Sequence, residues 1–99
     1  METKIINVTK EKNWAGNEYL LYSDSESGKN IAELDYPNKV KKLPRVYCLA
    51  NPDMLENDYV SFSSVTQALV GAETVVNGYF LDRGYSFTKF NYPKTIKMR

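Results

Sequence analysis

Between Ser63 and Arg83 the apolar side chains return every third or fourth residue. Val65, Leu69, Ala72, Val76 and Tyr79 fall at steps of four, three, four and three, the spacing that gathers side chains on one face of an α-helix. Ala68, Val75 and Phe80 widen that face until it is broad enough to cover a sheet. Ser63 and Ser64 are good N-caps, and Ser64-Val65-Thr66-Gln67 fits the reciprocal capping pattern. Arg83 in the last turn and Gly84, at the left-handed position that ends many helices, mark the stop.

Elsewhere the pattern is short and β-like. Lys4 to Thr9 is β-branched, Glu18 to Tyr22 and Ile31 to Tyr36 flank a polar run, and Arg45 to Ala50 is the clearest strand. Tyr59 to Phe62 is a short strand or the lead-in to the helix. Tyr85 to Phe90 alternates, and Thr95 to Met98 adds a last edge strand. Trp14-Ala15-Gly16-Asn17 reads as a turn, and Ser23 to Asn30, all polar, as the long mobile tip of a hairpin. Asn51-Pro52-Asp53 starts another turn. The expectation is an α+β domain: an antiparallel sheet of about four to six strands with one long helix, about 63–83, packed across one face.

Ninety-nine residues make one domain, 1–99, and leave no room for two cores. An apolar share of 42% and a charged share of 25% are globular values, so disorder throughout is not expected. Eight Tyr, four Phe and one Trp offer large surfaces for burial. Cys48, the only cysteine, sits in an apolar strand and reads as an inert core thiol in a reducing compartment. No apolar run is long enough to span a bilayer, and Met1 to Val8 lacks the plan of a signal peptide. The expected location is the cytoplasm, the host's if the chain is phage-encoded. The abundance of Lys, Asn, Tyr, Ile and Phe suits an AT-rich genome such as many phages and plasmids carry.

A net charge of +1 conceals a sorted distribution. Val46 to Asp82 holds only acidic charge, at Asp53, Glu56, Asp58, Glu73 and Asp82. From Arg83 onward only Arg83, Lys89, Lys94, Lys97 and Arg99 occur. Such sorting creates a local field able to select a partner.

Reaction chemistry is thin. The absence of histidine removes the commonest general acid–base and metal ligand, and one cysteine without histidine excludes ordinary structural zinc. No glycine cluster forms a phosphate loop, and no EF-hand spacing is present. Glu33 and Asp35 share a strand face, while Asp53, Glu56 and Asp58 read as a solvated loop before the helix. We therefore expect no enzyme, no cofactor and no metal.

Two surfaces invite a partner. Gln67, Gly71, Thr74 and Gly78 form a stripe opposite the apolar face, flanked by Val70 and Leu81. A glycine inside a helix costs about 1 kcal/mol relative to alanine, so two on one stripe suggest close approach by another backbone. The approaching backbone is that of a protein partner or a second copy, or a segment of this chain covers the stripe. The other surface is basic and aromatic: Lys39, Lys41, Lys42, Arg45, Arg83, Tyr85, Lys89, Tyr92, Lys94, Lys97 and Arg99. Cations interleaved with rings suit single-stranded nucleic acid, although a pI near 7.8 is low for that role. The leading expectation is a small non-catalytic protein-binding domain, in the manner of a phage or mobile-element inhibitor or accessory factor of a host system. The alternative is a nucleic-acid-binding module using the basic aromatic C-terminal segment. A small His-free nuclease or toxin ranks third, and no membrane role is expected.

Overall fold

The computed structural model describes residues 2–14, 16–35, 43–50 and 59–94. The helical period is realised as α1, Val65–Leu81, 17 residues long. Ser64 caps it: its hydroxyl accepts from Gln67 N at 3.2 Å, and the Gln67 side chain accepts in return from the Ser63 hydroxyl. At the other end Tyr85 N donates to Phe80 O and Gly84 N to Leu81 O, both at 3.1 Å. Gly84 takes φ +91°, and the Phe80 and Tyr85 rings close over the turn with centroids 5.7 Å apart. This is the left-handed glycine stop that the sequence marks.

Among the described residues six strands form one sheet: β1 Thr3–Lys12, β2 Glu18–Asp24, β3 Asn30–Asp35, β4 Arg45–Cys48, β5 Val60–Ser61 and β6 Phe87–Asn91, in the order β5-β4-β3-β2-β1-β6. Neighbours from β1 to β5 pair antiparallel. The exception is β6, which runs parallel to β1 with Thr3 beside Phe87 and Asn7 beside Asn91. Parallel pairing follows from the helix: α1 leaves β5 at one edge and carries the chain across the sheet to the opposite edge. A parallel mate requires such a crossover, but strand patterning alone does not reveal direction.

The fold is thus the expected α+β layer pair. Ala68, Ala72, Val76 and Phe80 of α1 are buried, and Val65, Leu69, Val75 and Tyr79 pack beside them. The small residues Ala68 and Ala72 let the helix axis lie close to the strands. Beneath it Ile6, Val8, Leu20, Tyr22, Ala32, Leu34 and Val46 complete the core. Burying such side chains contributes roughly 1.5–3 kcal/mol each. Alternation sends Leu21, Glu33 and Tyr47 to the other face, where they are half-buried.

Three local expectations are revised. Ser23, Asp24 and Asn30 belong to strands, and the tip between them is tied down. Asp24 accepts from Glu26 N at 2.9 Å and from the Ser27 hydroxyl at 3.1 Å, while Gly28 takes φ +76°. Trp14, expected to help fill the core, is 99% exposed at the β1–β2 turn. That turn is closed by Asn13, whose side chain accepts from Asn17 N at 3.0 Å. Cys48 is half-buried at the end of β4. The expected turn at 51–53, the acidic group Asp53, Glu56 and Asp58, and the strand over 95–98 lie outside the described residues.

Candidate functional site

The outer side of α1 and the outermost strand β6 enclose an open groove of about 580 Å³, lined by Glu73, Thr74, Gly78, Leu81, Phe87 and Thr88 among others. It exists because α1 crosses the sheet and then hands the chain to β6, which returns alongside the helix. Both ends of β6 are fastened to the layer below. Beyond its C-terminal end the Tyr92 hydroxyl bonds Glu73 of α1 and lies 3.0 Å from the Tyr22 hydroxyl. Burial, with Glu73 and Tyr22 adding to it, holds the Tyr92 phenol far above its ordinary value, so it is a neutral bridge at any working pH.

Before β6 begins, the Tyr85 hydroxyl accepts from Lys4 Nζ at 3.4 Å. Lys4 is 4% exposed and also meets Glu26 at 2.9 Å and Asp24 at 3.0 Å. Its ammonium lies 4.9 Å from the Tyr85 ring centroid and 5.5 Å from that of Phe80. The Glu26 bond foremost, opposed by burial and helped by Asp24 and Tyr85, raises the Lys4 pKa. For Asp24 burial works against ionisation, but bonds from Glu26 N, Lys4 and Ser27 outweigh it and lower the pKa. The cluster is a closed ion pair under an aromatic cover, suited to bracing structure.

Of the residues expected on the outer helix stripe, Gln67, Val70, Thr74, Gly78 and Leu81 are exposed, Val70 at 63% and Leu81 at 66%. Thr74 turns its hydroxyl back to Val70 O at 2.8 Å. Gly71 differs. A Cβ there would stand 2.3 Å from Cζ of Phe62, so a segment of this same chain covers it. A Cβ on Gly78 would meet nothing within 4 Å, so this glycine opens directly onto the groove.

The basic aromatic set is divided. Lys39, Lys41, Lys42, Lys97 and Arg99 lie outside the described residues. Tyr85 and Tyr92 are half-buried and bonded as above, and the Arg83 guanidinium stacks 3.5 Å from the Tyr79 ring centroid. Lys89 and Lys94 are exposed at the β6 edge. Arg45, on β4, lies over the Tyr59 ring at 4.5 Å, four strand spacings or roughly 19 Å away from β6. The described members therefore do not share one patch.

On the sheet face away from α1, Glu33 and Asp35 stand together as expected for alternate positions of one strand. Burial, then the hydrogen bond and charge of Asp35, push the Glu33 carboxyl up to about 8. Near neutrality the Glu33 carboxyl therefore holds a proton beside Asp35 and could give or take one. Among the described residues no three His, Cys, Asp or Glu side chains gather as a metal site requires, and no described helix is long and apolar enough to cross a membrane.

Sequence reasoning missed the role of β6 and, although it placed Trp14 in a turn, counted its ring toward the core. The signal for the second was present: Trp14 sits between Asn13 and Gly16, inside a turn. Comparison with family models, curated proteins and solved structures finds no match to this chain. Its function must be read from these residues.

Proposed function

We propose that this chain is a non-catalytic binding domain whose partner is a protein, engaged through the outer face of α1 and the groove beside β6. The observation that carries this reading is the exposure of Leu81 in a groove that Gly78 leaves open and whose β6 rim holds Phe87, 58% exposed, with Val70 exposed further along the same helix stripe. Singly exposed apolar residues are ordinary; grouped along one groove they mark a contact surface. The basic run after Arg83 supports selection of a partner by charge. An inhibitory or accessory role for a phage or mobile element, exercised in the host cytoplasm, is the biological setting we propose.

Gly78→Leu tests the reading. Its Cβ would meet no described atom within 4 Å, the rest of the side chain would occupy the groove, and helix propensity improves by about 1 kcal/mol. We expect the tagged variant to fold normally yet lose, on nuclease-treated host lysate, the protein captured by the parent chain. Capture unchanged by Gly78→Leu would reject this surface. Capture abolished by nuclease alone would favour the nucleic-acid reading, for which exposed Lys89 and Lys94 are the described cations at this edge.

A further inference from the structure

β6 is the end of the sheet, and among the described residues nothing pairs with its outer side. An unpaired strand edge presents a row of backbone donors and acceptors that another extended chain can match. Burial along β6 alternates, with Phe87, Lys89 and Asn91 exposed and Thr88 and Phe90 half-buried. A strand laid against this edge would therefore drop alternate side chains toward Thr88 and Phe90, into the groove beside Gly78 and Leu81. Its other side chains would lie level with Phe87, Lys89 and Asn91.

Charge selects the occupant. Lys89 is central in β6, within a run from Arg83 onward that contains no Asp or Glu. A second copy using all five residues of β6 about a two-fold axis would set Lys89 opposite Lys89, and directly opposed like charges are destabilising. A carboxylate at the same place pairs with it. We propose that β6 is a docking edge for an extended acidic segment of another protein, added as a seventh strand with apolar side chains in the groove and Asp or Glu opposite Lys89. The proposal rests on the groove being the partner surface, and it names the partner's chemistry.

Two synthetic heptapeptides make the probe, one alternating valine with glutamate and one alternating valine with lysine. Both are titrated into the full-length protein while backbone amide NMR shifts are followed. The glutamate peptide is expected to move the amides of 86–91 and of the helix from Thr74 to Leu81, and to bind at least about tenfold more tightly than the lysine peptide. Lys89→Glu should reverse that order, and methylating the backbone nitrogens of the glutamate peptide should abolish its binding. Equal action of the two peptides, shifts elsewhere in the sheet, or a preference untouched by Lys89→Glu would overturn the proposal. So would β6 amides already protected from exchange throughout in the free protein, which would mean that the edge is occupied. Should the peptides fail while Gly78→Leu still abolishes capture, strand addition is wrong and the partner surface stands.

Discussion

Gly71 and Gly78 occupy one stripe of α1 and are glycine for different reasons. At Gly71 the ring of Phe62 fills the space where a side chain would go; at Gly78 that space is empty. Gly71→Ala should destabilise by about 1–3 kcal/mol through overpacking, whereas Gly78→Ala should stabilise by about 1 kcal/mol. Urea unfolding of the two variants measures both, and Phe62→Ala in the Gly71→Ala background should restore part of the loss. A stabilised Gly71→Ala would show that Phe62 is not fixed there. The stripe itself was legible in the sequence, because it follows from helical period alone. What covers Gly71 was not, since Phe62 lies outside the periodic segment and its direction is set by how the chain leaves β5.

Elements in this fold are joined by side chains distant in sequence. Lys4 binds β1 to the β2–β3 tip through Asp24 and Glu26 and to the end of α1 through Tyr85 and Phe80. Removing Lys4 leaves the buried Asp24 carboxylate without its counter-charge, while Glu26 keeps its access to solvent. Lys4→Ala should therefore lower the denaturation midpoint several-fold more than Lys10→Ala, which breaks the more exposed pair with Glu18. Equal losses would mean that Lys4 is no brace. Strands and helix were foreseen because each carries its own period, capping residue or turn glycine. The tie at the hairpin tip was hidden, because an all-polar stretch looks alike whether it is free or anchored by a lysine 20 residues earlier in the chain.

For the molecule as a whole, two carboxyl sites pull stability in opposite directions with pH. Glu33 keeps its proton up to about 8 when folded but releases it near 4.5 when unfolded. Between those values the folded state binds the extra proton, so raising pH favours unfolding. Asp24, lowered from 3.8, acts in the reverse sense: its contribution is complete above that value and fades as acid protonates it. Stability should peak in mildly acidic solution, and Glu33→Gln should flatten the decline from about pH 5 to 8 by on the order of 1 kcal/mol, a half-buried site being partly screened. Melting temperatures across that range would decide it; a decline unchanged in Glu33→Gln would remove Glu33 as its source. The α+β class and the long helix could be inferred beforehand, whereas the β1–β6 pairing could not. That pairing joins Thr3–Asn7 to Phe87–Asn91, segments far apart in sequence. On the ribosome β1 emerges well before its parallel neighbour, so the sheet stays incomplete until β6 has followed it. The β1 edge remains bare for that interval, when it is most open to capture by chaperones or by other nascent chains.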